Sequence, residues 1–282
     1  MTTSQRDPAD LMTAPADLLV GPGWLRRHLH DPRLRVVEVD VTATAYAQGH
    51  IDGAVLWNVY TDLKDADYAT VDPDVFQELV RRSGITPDSI VVFHGYAPAM
   101  GLWMLRLFGH REVRILDASR DGWVAAGGSL TTEPSRPVPS EYVLGPQDVA
   151  IRALPIEVRS AMDDPGVALA DVRSAAEYDG DAFWPSGGSE PGGRAGHVPG
   201  AIHVPVQALF DDAGRFRDTP ALQEVFAPLA AAGSRVITYC TIGGRACTAW
   251  FVLTHLLGRP DVSVYDGSWA QWGRTPGAPV TS

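Results

Sequence analysis

Two cysteines in 282 residues, Cys240 and Cys247, are too few for a disulfide framework. Stability must come from packing, and a reducing compartment suits the chain. Basic residues are also short: 23 Lys and Arg face 34 Asp and Glu, and the resulting net charge of −11 argues against a general affinity for nucleic acid or anionic membrane. A local positive pocket remains compatible with that balance. Nowhere does the chain approach the roughly 18 uncharged apolar residues of a membrane span, and Met1 to Asp17 lacks the basic start and apolar core of a secretory signal. A cytoplasmic location, with neither membrane nor nucleic acid as partner, is the expectation. Also missing are any His/Cys/carboxylate cluster with metal-ligand spacing and any Gly-x-Gly-x-x-Gly or Gly-Lys-Ser/Thr phosphate loop, so no metal or cofactor is expected.

What is present is a soluble composition, 45% hydrophobic and 20% charged, in a chain long enough for two domains. Residues 1–15 carry no periodic apolar pattern and read as a tail. Gly23 to Leu29 reads as a short helix, Leu34 to Asp40 as a β-branched strand, and Pro73 to Ser83, with Val75, Phe76, Leu79 and Val80 at helical spacing, as an amphipathic helix. Ser89–Phe93, Ala99–Phe108 and Val113–Leu116 continue as strand, helix and strand. Such alternation predicts an α/β fold with a mainly parallel sheet flanked by helices. Between Thr131 and Pro146 the composition turns to Thr, Glu, Ser, Gly and Pro, which marks a linker and predicts domains over residues 16–130 and 145–282.

The second half repeats the first. Gly49-His50-Ile51-Asp52-Gly53-Ala54 matches Gly196-His197-Val198-Pro199-Gly200-Ala201, Val91-Val92-Phe93-His94 matches Ile237-Thr238-Tyr239-Cys240, and Asp117 and Trp123 match Asp266 and Trp272. A Gly- and Pro-rich insert carrying Phe183 and Trp184 lengthens the second copy between Tyr178 and Gly196. His94 stands where Cys240 stands in the repeat, so the first half has no thiol at that point.

Cys240 follows the apolar run Arg235 to Thr238 and precedes a helical stretch, Ala246 to Leu257. A strand, a glycine-containing loop and a helix start converge backbone N–H groups and the helix dipole on one spot, which favours negative charge. A thiolate would be stabilised there, and Cys240 reads as a nucleophile. The alternative is a small buried cysteine at a strand end.

Taken in order, Gly196 to Ala201, the loop Cys240-Thr241-Ile242-Gly243-Gly244-Arg245-Ala246, and Tyr265-Asp266-Gly267-Ser268-Trp269 resemble the rhodanese (sulfurtransferase) family. The resemblance covers both halves and implies two tandem rhodanese-like domains, the N-terminal one noncatalytic and the C-terminal one catalytic. It implies transfer of a sulfane sulfur from thiosulfate or 3-mercaptopyruvate, a small anionic donor, through a Cys240 persulfide to cyanide, a thiol or a thioredoxin-like protein. Phosphatases of the Cdc25 type resemble rhodaneses in fold but carry Cys-x5-Arg. The shorter Cys-x4-Arg here makes a smaller cradle, which favours sulfur transfer over a phosphatase or arsenate reductase. A noncatalytic persulfide carrier or regulatory module is the other alternative.

Thr241 to Ala246 are the expected binding loop, with Gly243 and Gly244 turning amides inward at positive φ. Arg245 would hold the leaving group or fold back onto loop carbonyls. Arg173 matches an arginine of rhodanese-like domains and is expected at the donor, with an internal ion pair to Asp171 or Glu177 as its other reading. Trp269 is expected to wall the pocket. Thiosulfate rhodaneses usually carry a second arginine where Glu177 stands, and Arg and Lys where Thr241 and Ile242 stand. Mercaptopyruvate sulfurtransferases typically read Cys-Gly-Ser-Gly at the loop, so the donor stays open. His197 recurs as His50 in the half without the thiol and reads as fixing its loop. Cys247 reads as buried, with a resolving thiol as the alternative, and His94 as scaffold, with a proton carrier as the alternative.

Overall fold

A computed structural model describes residues 18–230 and 232–282; the tail expected over residues 1–15 and the expected first-domain start at 16 lie outside them. Among the described residues, ten strands form two five-stranded sheets in which every strand pairing is parallel. In the first half these are β1 (Leu19–Val20), β2 (Leu34–Asp40), β3 (Val55–Asn58), β4 (Ile90–Gly95) and β5 (Val113–Leu116). The second half supplies β6 (Arg152–Ala153), β7 (Val167–Asp171), β8 (Ile202–His203), β9 (Arg235–Tyr239) and β10 (Val262–Tyr265). Their spatial orders are β1-β5-β4-β2-β3 and β6-β10-β9-β7-β8. Each strand takes the place of its counterpart, so the repeat read from sequence offsets is a repeat of topology.

The central strands are buried on both faces, as β2 shows with Val36, Val37, Glu38 and Val39 all enclosed. Helices supply the cover. Pro73–Arg82 begins at Asp72, whose carboxylate accepts from the Asp74 N–H, has Pro73 in its first turn, and buries Phe76, Leu79 and Val80. Pro98–Leu107 buries eight of its ten residues, more than a surface helix would. Its outer face is covered by Gly244–Phe251 of the second half. One apolar cluster therefore runs from Trp57 and Phe93 through Trp103 to Trp250 and Phe251, joining the halves. The Pro-rich stretch between them is irregular but fastened: Thr131 pairs with His50, and Tyr142 is buried with its hydroxyl against His110. No helix among the described residues is long and apolar enough to cross a membrane.

Candidate active site

In a parallel sheet the ends that carry ligand are the carboxyl ends of the strands, and β9 delivers Cys240 at such an end. Four hydrogen bonds, two of them between backbone groups, fix the loop. The Cys240 N–H donates to Ser268 Oγ (3.1 Å), its carbonyl accepts from Trp269 (2.9 Å), the Thr241 carbonyl accepts from Ala270 (2.8 Å), and the Gly243 N–H donates to Cys240 Sγ (3.1 Å). Ser268 holds this position at φ 51°, a left-handed backbone uncommon outside glycine, while its hydroxyl donates to the Tyr265 carbonyl. Gly243 has φ 94°, and a Cβ there would stand 2.8 Å from the Asp266 carbonyl oxygen. Gly244 does not share that conformation. It opens the helix Gly244–Phe251, whose first N–H groups have no intrahelical acceptor, so the positive φ expected for both glycines applies to Gly243 alone.

The thiol looks into a cavity of about 420 Å³ between the halves. From the loop, Cys240, Thr241, Ile242, Gly244 and Arg245 line it. Gly243 and Ala246 stand behind: Gly243 against Asp266, and Ala246 fully buried with its carbonyl accepting from Thr238 Oγ1. Two other expected binding residues are elsewhere. Arg173 is wholly buried and pairs through Nε and Nη2 with Asp171, while Nη2 also donates to the Gly196 carbonyl (2.7 Å). A buried guanidinium needs its partner beside it, so Arg173 braces the Gly196 turn instead of reaching the donor. Trp269 is also fully buried, with Arg173 4.5 Å over its ring. It supports the loop from beneath and does not wall the cavity.

Glu177 is the site residue whose part the sequence did not disclose. Its two oxygens accept from Arg245 Nη1 and Nη2 (2.8 Å each), and it also receives the hydroxyls of Thr241 and Ser174 and the Ser174 N–H. Burial opposes ionisation of this carboxyl, but hydrogen bonds from Arg245, that residue's charge, and the two hydroxyls overcome it and hold the group at about 2. Arg245, opposed by burial and favoured more strongly by Glu177, is raised above its ordinary value. Both of its Nη groups are thus committed to Glu177, and Nη2 also reaches the Thr241 hydroxyl, whereas the bond to loop carbonyls expected as its other reading is not made. The signal for placing Glu177 was its Ser174-x-x-Glu177 capping box, which fixes it at the third position of a helix; nothing local tied it to Arg245, 68 positions on.

Around the cavity the first half and the insert contribute aromatic rings: Tyr60, Tyr68, Tyr96 and Trp184. His94 is buried without a hydrogen-bond partner on Nε2, and burial first, then the charges of Arg120 and His50, pushes it down to about 3. A ring so hard to protonate is unsuited to carrying protons near neutral pH. Burial pushes the Cys247 thiol well up, opposite to what a resolving thiolate needs. His197 Nδ1 donates to the Tyr178 carbonyl (2.8 Å) and stacks on that tyrosine at 3.8 Å; His50 does the same with Tyr46, at 2.9 and 3.8 Å. The same brace in both halves fits a role in holding the turn. No group of three or more His, Cys, Asp or Glu among the described residues is placed to hold a metal.

The "Rhodanese-like domain" family model matches residues 21–126 and 154–275. "Putative thiosulfate sulfurtransferase SseA" of Mycobacterium bovis is 38% identical over 98% of this chain and 95% of its own length. "Sulfur carrier protein TtuD" of Thermus thermophilus is 36% identical over 94% and 96%. Among solved structures, the anaerobic ergothioneine biosynthesis enzyme of Chlorobium limicola superposes with a TM-score of 0.78 at 21% identity, covering 94% of this chain and 70% of that one. At that identity the likeness is one of fold.

Proposed function

Because this chain belongs to the rhodanese family, with both halves matched, we propose that it is a sulfurtransferase whose second domain works through a Cys240 persulfide. The Cys240 thiolate attacks the outer sulfur of a donor such as thiosulfate or 3-mercaptopyruvate. A new S–S bond forms, the bond from that sulfur to the rest of the donor breaks, and the leaving group departs with the electron pair. The persulfide then gives its outer sulfur to cyanide or a thiol.

The observation that carries this reading is the Gly243 N–H on Cys240 Sγ at a helix N-terminus, facing a cavity. A compact anion would be supported there by an amide already aimed at the sulfur and by the helix N-terminus behind it. The Glu177–Arg245 pair supports sulfur transfer over phosphate chemistry in the same terms, since a phosphate would need the guanidinium that Glu177 occupies. The name of the Thermus relative favours a second reading, a carrier that is loaded but turns over slowly.

The test is intact mass after incubation with thiosulfate or 3-mercaptopyruvate, followed by cyanide. A gain of one sulfur that is lost to cyanide, and is absent from Cys240→Ser with unchanged melting, is expected. Loading without repeated turnover would identify the carrier, and loading of the serine variant would end the assignment.

A further inference from the structure

We infer that the donor for this site is a singly charged sulfur compound bearing an apolar or aromatic group, selected by Glu177 and by the rings that line the cavity, and that the thiosulfate dianion is the disfavoured donor; this rests on the sulfur-transfer reading above.

Among the described residues, the cations near the cavity are already engaged. Arg245 is held by both oxygens of Glu177, which is fully buried and ionised at any working pH. Arg274, 5.3 Å over the Tyr68 ring, is paired with Glu190 at 3.8 Å. Lys64 is buried beneath the loop and donates to the Asp266 carbonyl. A dianion entering here would lose hydration without gaining a free positive partner, and the second charge makes that loss the larger.

The walls offer what an organic group needs. Tyr60 and Tyr96 are 43% and 57% exposed, unusually open for large rings, and both flank Cys240. Tyr68 is held at φ 61°, a strained backbone, inside the turn where Asp65 accepts from the N–H groups of Asp67 and Ala69. Its ring meets Trp184 at 5.7 Å. Trp184 belongs to the insert that only the second half carries, and Pro185 and Ser186 beside it also line the cavity. The insert thus adds an aromatic ring to the wall of the thiol cavity. Exposed aromatic rings around a cavity mark a place where apolar surface is to be buried.

For an organic thiosulfonate the step balances without further reactants. The Cys240 thiolate and R–SO2–S⁻ give Cys–S–S⁻ and R–SO2⁻, with the sulfinate taking the electrons of the broken S–S bond.

The experiment compares kcat/KM for benzenethiosulfonate and thiosulfate in the parent, Glu177→Gln and Tyr96→Ala, with melting as control. Because the donors differ in intrinsic reactivity, the readout is the change in their ratio. Glutamine keeps the side chain's size but turns one of the two acceptor oxygens into an NH2 donor, so it breaks the bidentate pair and frees the charge of Arg245; preference should shift toward thiosulfate by about tenfold or more. Tyr96→Ala, at an exposed position, should shift it the same way by roughly tenfold through loss of the ring contact. Unchanged ratios in both variants would overturn the inference while leaving sulfur transfer standing. If Glu177→Gln does not fold, the tyrosine variant alone decides. If neither donor loads the parent, the sulfur-transfer reading falls and takes this one with it.

Discussion

Lys64 Nζ, in the first domain, donates to the main-chain carbonyl of Asp266 in the second at 2.7 Å. The same turn of the first domain sends the Thr70 N–H to Asp266 Oδ2 (2.7 Å), while Arg152 holds that carboxylate from the other side. A Cβ on Gly243 would lie 3.1 Å from Lys64 Nζ. The domain without a thiol therefore reaches under the loop of the domain that has one.

Lys64→Met should both loosen this contact and slow sulfur loading. It leaves the Asp266 carbonyl buried without its donor, an unpaired acceptor worth about 1–3 kcal/mol. Thermal melting and the rate of persulfide formation should fall together; an unchanged loading rate would show that the loop is ordered without the first domain.

The two loop glycines should respond differently to alanine. Gly243→Ala forces φ 94° on a residue with a Cβ, 2.8 Å from a backbone oxygen, whereas Gly244→Ala sits in helix with its nearest neighbour, Ala97 Cβ, at 3.3 Å. The first should lower stability by about 1–3 kcal/mol and impair loading, and the second should cost much less stability. Denaturant titration of both variants checks the order, and equal losses would contradict it.

Inserting one residue between Gly244 and Arg245 should cut sulfur loading by about 10²-fold or more in a protein that still folds. The insertion falls at the start of the helix Gly244–Phe251 and would turn Arg245 by about 100° relative to the loop. It would then leave Glu177, and Glu177 would lose its bidentate partner. A variant that melts normally and loads at the parent's rate would refute the importance of loop length.

Acid should weaken the site before neutral or alkaline pH does. Glu177 is depressed from 4.5 to about 2, so its contribution is complete above the unfolded value and is lost as pH falls from about 4.5 through about 2. Stability measured against pH should decline over that window in the parent and decline less steeply in Glu177→Gln; parallel curves would place the acid sensitivity elsewhere.

Sequence alone determined the two-fold repeat and the parallel α/β class, because these depend on local pattern, β-branched runs and helical spacing; it also singled out Cys240, between a strand and a glycine turn, as the candidate nucleophile. Strands of two residues, Leu19–Val20, Arg152–Ala153 and Ile202–His203, carry too little pattern to be read and exist only because a longer neighbour templates them. Tertiary structure decided the electrostatics. Arg173 and Arg245 are alike as sequence, one after a strand and one after a loop, and each stands near an acid. Packing gave Arg173 to Asp171 in the core and Arg245 to Glu177 at the cavity, because a buried charge takes the partner that the fold brings within hydrogen-bonding distance. The aromatic wall was hidden for the same reason: Tyr60, Tyr68, Tyr96 and Trp184 come from two domains and an insert, and only the closure of one domain on the other sets them around one thiol.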